Sequence, residues 1–168
     1  SSLGGNVYLG DINSIDLGAS TVAGNLIIAL GGNITDSGTV TVAGTTTLWA
    51  TGSDVTLDDG ANDFTGAVKV SGVNVTLVDV NAIDLGASTV TGNLDITAGG
   101  AVTQSGSLTV TGTTTVSAAG FDVTLDSATN DFTGAVSVTG ANIALVDTNA
   151  IDLGASTVTG DYMITAGG

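Results

Sequence analysis

The sequence predicts an all-β protein wound as a parallel β-helix, with right-handed winding favoured over left. Three observations carry this. A 68-residue unit repeats without gaps, a shorter glycine-bounded signature recurs inside it, and apolar residues alternate with small polar ones along each signature.

The long period shows in a single phrase. IDLGASTVTG stands at 83–92 and at 151–160, and IDLGASTVAG stands at 15–24. Residues 15–82 align with 83–150 without a gap, and 45 of the 68 positions are identical. The chain therefore reads as one solenoid segment, 1–168, with a partial repeat at 1–14, repeats at 15–82 and 83–150, and a partial repeat at 151–168. Because it opens and closes inside a repeat, it is expected to be a segment of something longer.

The short period is G-x-x-x-V-[TAS]-G, beginning at residues 18, 38, 66, 86, 106, 134 and 154. Successive starts differ by 20 or 28, which divides the repeat into three coils of lengths 20, 28 and 20. The eight additional residues, within 45–72 and 113–140, are expected to widen the coil or form a lateral loop. Val90, Val110, Val138 and Val158 stand four residues after the first Gly of the signature, while Thr89, Thr109 and Thr157 stand three after it. That alternation places the valines in the core and the threonines in solvent. Similar strands follow at 93–97 and 122–126, with Leu94, Ile96, Val123 and Leu125 inward. One coil cannot bury its own apolar face, so neighbours must complete it. A propeller blade would need about 40–45 residues of four strands with aromatic markers that are absent here.

Composition sets limits on chemistry. The chain has 26 Gly, 28 Thr and no Pro, Cys, His or Glu; all 16 acids are Asp, and Lys69 is the one base, leaving a net charge of −15. Without His or Cys, imidazole and thiolate catalysis and zinc or haem ligation are unavailable. One cation cannot neutralise a phosphate backbone, so no nucleic-acid partner is expected. No apolar run approaches the ~18 residues of a spanning helix, so no membrane insertion is expected.

The Asp residues recur in register. D-x-N-x-x-D gives Asp11-Asn13-Asp16, Asp79-Asn81-Asp84 and Asp147-Asn149-Asp152, and the long coil carries Asp54, Asp58 and Asp63 with counterparts Asp122, Asp126 and Asp131. Stacked carboxylates offer hard oxygen ligands suited to Ca²⁺. Candidate ligands are Asp79, Asn81, Asp84, Asp147, Asn149, Asp152, Asp58, Asp63, Asp126 and Asp131. The plainer reading, favoured here, has Asp and Asn accepting backbone N–H groups in turns, with no cofactor. The spacing matches neither the EF-hand loop nor the GGxGxD nonapeptide.

Thr89/Thr91, Thr109/Thr111, Ser137/Thr139 and Thr157/Thr159 would form an outward threonine ladder on consecutive coils, the arrangement of an ice-binding β-helix. Lys69, Ala23 and Ala43 interrupt it. Paired carboxylates could serve a glycosidase, but a unique site is not expected where every Asp pattern repeats, and no enzymatic activity is expected. Tyr8 and Trp49 have outward parity and could meet sugar rings; Tyr162 has inward parity.

The glycine-bounded V-T-G turns, the short regular coils and the phrase NAIDLGASTVTGNLDITAGG resemble the repeats of giant haemagglutinin-like secreted bacterial adhesins, the filamentous-haemagglutinin type exported by two-partner secretion. The resemblance spans the whole chain and implies a right-handed β-helical shaft outside a bacterial cell, with no catalytic residues. The expected function is a rod-like spacer or filament in a cell-surface adhesin or extracellular fibre. Its partners would be the rest of a longer chain, end-to-end copies of itself, or a host or matrix glycan. The alternatives are a Ca²⁺- or glycan-binding module and an ice-binding protein.

Overall fold

Glycine every few residues keeps the strands short, and none exceeds five residues. The computed structural model describes residues 2–168; Ser1, which opens the partial repeat at 1–14, lies outside the described residues. These residues form 24 strands and no helix. Every strand pairing among them is parallel. The strands lie in sheets of twelve, eight and four, which wind as a parallel β-solenoid of about eight coils.

A coil has three sides. One coil runs through Leu26–Leu30, Ile34–Asp36 and Val40–Val42, and the next through Thr46–Ala50, Val55–Leu57 and Asp63–Phe64. Inward residues stack in files: Ile15, Ile34, Val55, Val75, Leu94, Thr114 and Val136 are consecutive partners up one side. The files merge into one core from Leu17 to Leu145. Val90, Val110 and Val138 are buried, and Thr89, Thr109 and Thr157 are exposed, as the alternation predicts. Val158 has the same parity but is only half-buried, since no described coil stacks on it.

The glycine that closes each signature has a steric reason. At the corner of one coil, a Cβ on Gly112 would stand 2.5 Å from the carbonyl oxygen of Gly92 in the coil below. Backbones approach there more closely than any side chain allows.

The coil lengths differ from the expected 20, 28 and 20. Within the long interval, Phe64 stacks on Val42 and Phe132 on Val110, a step of 22 in each copy. The next coil is shorter in turn, with Val68 pairing with Leu85, a step of only 17. No wide coil or lateral loop forms, because eight unpaired residues would leave backbone groups without partners on both neighbouring coils. Each repeat carries ten strands on a three-sided coil, so one strand is left over. Equivalent strands of successive repeats therefore change sheets. Val7–Asp11 lies in the twelve-stranded sheet, Val75–Asp79 in the eight-stranded sheet and Ile143–Asp147 in the twelve-stranded sheet again.

A bulge absorbs the mismatch. Leu85 lies over Val68 and Thr89 over Ser71, so the upper coil uses one residue more than the lower. The Ser88 hydroxyl fills the gap, accepting the Val70 N–H at 3.0 Å and donating to the Gly86 carbonyl at 2.9 Å. Ser156 accepts the Val138 N–H at 3.0 Å in the next copy.

Threonine takes two inward positions. Thr46 and Thr114 are fully buried, and neither Oγ1 has a hydrogen-bond partner. Valine has the same shape without the polar atom, so Thr114→Val is expected to stabilise the fold by about 1 kcal/mol in chemical denaturation. A loss of stability would mean that the hydroxyl has a partner in solution.

Candidate functional site

The polar residues concentrate at the corners, where chain direction changes and backbone groups lose their partners. Asp79 ends the strand Val75–Asp79 with its side chain turned inward. Its Oδ2 accepts the Phe64 N–H of the coil below at 3.0 Å, and its Oδ1 accepts the Asn81 N–H at 2.8 Å. Asp147 repeats this turn, with Oδ1 accepting the Asn149 N–H at 3.1 Å, while its buried Oδ2 has no hydrogen-bond partner. The Asn149 amide also donates to Asp131 at 3.2 Å.

A hydrogen bond joins Asp131 to Asn149, and Asp63 lies near enough to Asp79 for its charge to act there, but the ten candidates do not come together as a set. Asp84 sits mid-strand opposite Thr103 with a buried, unpartnered Oδ1, and Asp152 is exposed. Asp58 and Asp126 are exposed on the long interval. Among the described residues, no three acidic side chains are placed to hold a metal ion. In the D-x-N turns, each first Asp accepts the N–H two residues on, at Asn13, Asn81 and Asn149.

Asp11 and Asp79 occupy the same position in successive copies and titrate in opposite directions. The backbone N–H groups of Asn13 and Ile12 hold exposed Asp11 below the ordinary carboxylate value. Burial pushes Asp79 above it, against the N–H groups of Asn81 and Phe64, and the charge of Asp63 adds to the rise. A raised folded value means that the contribution of Asp79 to stability is complete below its unfolded value and is lost as pH rises through the folded one. For Asp11 the contribution is present above the unfolded value and is lost as pH falls through the depressed one. A carboxyl-carbon NMR titration should therefore find Asp79 protonating well before Asp11 on acidification. The reverse order would contradict the burial of Asp79.

Two polar systems escaped the sequence reading. The first is a ladder at one corner. Ser14 Oγ accepts the N–H of Asn33, Asn33 Oδ1 that of Asp54, Asp54 Oδ1 that of Asn74, Asn74 Oδ1 that of Asn93 and Asn93 Oδ1 that of Thr113, all at 2.9–3.1 Å. Asp54, which the sequence places in an acidic column, is a rung of this ladder, and Asp122 serves Asn142 in the same way at 3.0 Å. The second system is buried. Asn62 accepts the Val40 N–H at 2.7 Å and donates to Asp36 at 2.6 Å. Its counterpart Asn130 accepts the Leu108 N–H at 2.9 Å and pairs amide to amide with Gln104. The signal was the retention of Asn62 and Asn130 in N-D-F phrases that differ upstream.

The outward threonine ladder does not run as expected. Thr89 and Thr109 are partners, but Asp131 follows Thr109, whereas Thr139 and Thr157 pair in the other large sheet. The strand left over from each repeat carries the file away. The longest outward threonine file is instead Thr35, Thr56 and Thr76, bounded by Asp16 and Asp95. Tyr162 takes its expected inward position over Ile143, but remains exposed on the last coil.

A polar-cornered, single-core parallel solenoid places the molecule among β-helical repeat proteins. Residues 4–71, 72–139 and 140–168 each match the family described as repeats of unknown function, DUF5649. The chain belongs to that family. No curated protein and no solved structure matches it.

Proposed function

We propose that this chain is a rigid structural segment, a spacer or filament unit, of a large secreted surface adhesin or extracellular fibre on a bacterium. The observation that supports this most directly is mechanical. One uninterrupted core and parallel backbone hydrogen bonds link every described coil to the next along the axis. The eight strands of one sheet span about 34 Å at ~4.8 Å per coil, and each repeat adds about 16 Å. The repeat style shared with haemagglutinin-like adhesins supplies the extracellular setting, and the partners are the rest of a longer chain or end-to-end copies.

Scattering or electron microscopy of a parent chain with and without residues 83–150 tests this reading. The rod should shorten by about one repeat, ~16 Å, and keep the binding carried elsewhere. Loss of recognition with the fold intact would make the repeats themselves the binding surface and refute the spacer role.

A further inference from the structure

Four successive coils carry an outward patch that the second repeat lacks. On the side built from Val7–Asp11, Leu26–Leu30, Thr46–Ala50 and Val68–Gly72, two neighbouring outward files read Tyr8, Ile27, Thr47, Lys69 and Gly10, Ala29, Trp49, Ser71. Tyr8 is 68% and Trp49 47% exposed. The Tyr8 ring lies along the strand, its Cε1 3.8 Å from where a Gly10 Cβ would stand. The ring thus lies beside small residues, Gly10 and Ala29, with Trp49 one strand beyond Ala29.

Neither file contains a carboxylate, although the chain carries 16 Asp. Lys69, its one base, stands diagonally across from Trp49, with its stem against Gly86. The equivalent positions one repeat later hold Thr76, Val78, Asp95, Thr97, Ser117 and Ser137, and they belong to the other large sheet. Residues scattered over sixty positions of sequence have changed together on a single face.

We propose that this face binds a pyranose glycan, whose rings stack on Tyr8 and Trp49 while Lys69 and the Thr47 and Ser71 hydroxyls donate hydrogen bonds to its oxygens. Two exposed aromatic surfaces about 10 Å apart along the rod, two coils at ~4.8 Å, offer successive stacking platforms. No pocket opens among the described residues, so an extended chain lying on the sheet suits the site better than an enclosed small molecule. A second copy suits it less. Two rods of net charge −15 repel each other. The proposal is independent of the spacer role, which needs no ligand.

Trp49 is the one tryptophan of the chain, so its fluorescence reports the patch directly. The full chain would be titrated with a soluble neutral β-glucan hexamer and, separately, an oligogalacturonate at matched ionic strength. The expected result is a saturable shift in Trp49 emission with both, stronger for the neutral oligomer, since a net charge of −15 opposes the acidic one. Lys69→Ser should weaken the acidic oligomer further, widening that gap, while keeping neutral binding. Tyr8→Thr, the residue of the second repeat, should weaken both by about tenfold with an unchanged circular dichroism spectrum. Calorimetry with Trp49→Ser should give a similar loss. No saturable change with either oligomer up to millimolar concentration would overturn the proposal. So would equal binding by Tyr8→Thr, or patch-dependent self-association in sedimentation in place of glycan binding.

Discussion

Phe132→Ala should destabilise the solenoid by about 3–5 kcal/mol, and Phe64→Ala should cost much the same. Both rings are essentially fully buried and are among the largest side chains in the core. Each belongs to a two-residue strand, Asp63–Phe64 or Asp131–Phe132, at the point where the coil takes its longest step. The bulky ring fills the core at that corner, where Val42 and Val110 suffice one coil below. The backbone around it is tied to both neighbouring coils and cannot collapse into the vacancy, so the cavity cost is added to the lost transfer energy. Leucine should restore part of the loss. Because a repeat protein can open locally, hydrogen exchange at Val110 and Leu108 should accompany denaturant melting. A loss below about 1 kcal/mol, with exchange unchanged, would mean that the corner repacks freely.

Excising eight residues from 113–140 should abolish the cooperative fold, whereas removing residues 94–113 should be tolerated. The second deletion takes out one whole coil. It joins Asn93 to Thr114, which stacks where Leu94 stood, so inward residues remain inward and the rod shortens by about 4.8 Å. The first deletion would succeed only if the eight residues formed a dispensable loop. Instead, that stretch holds Thr114–Ser117, Val123–Leu125, Asp131–Phe132 and Val136–Gly140, each paired with a neighbouring coil. Removing eight of its residues deletes core side chains and leaves a coil too short to reach its neighbours' hydrogen bonds. A variant lacking residues 119–126 that still melted cooperatively, at nearly the parental temperature, would restore the lateral loop.

Period-two alternation was legible because it is local. Val90, Val110 and Val138 lie inward for a reason contained in five residues of sequence. Where the chain turns a corner is not local. Gly18-Ala19 and Gly86-Ala87 are identical dipeptides in identical phrases, yet the first separates strands of two different sheets and the second lies in a bulge over Val68–Gly72. Stacking on the coil below decides between these outcomes, and no window of sequence contains that coil. The candidate site follows the same division. The Asx turns at Asp11, Asp79 and Asp147 could be read from D-x-N alone. The ladder from Ser14 to Thr113 runs through side chains on successive coils, of three chemical types (hydroxyl, amide and carboxylate), and became visible only when the coils were stacked.

The change of sheet between successive repeats bears on how so acidic a rod holds together. Were the period in phase with the coils, every Asp would recur on one flank in a line of like charge. Here Asp16 meets Thr35, Asp84 meets Thr103, and Asp95 lies between Thr76 and Thr115. Corresponding carboxylates of successive copies are more than three coils apart, beyond the ~8 Å over which physiological salt leaves exposed charges in contact. The length of the repeat keeps these carboxylates apart along the axis, and the misfit between a ten-strand repeat and a three-sided coil turns each copy's set to a different side. Copies can be added to the rod with self-repulsion growing only in proportion to its length.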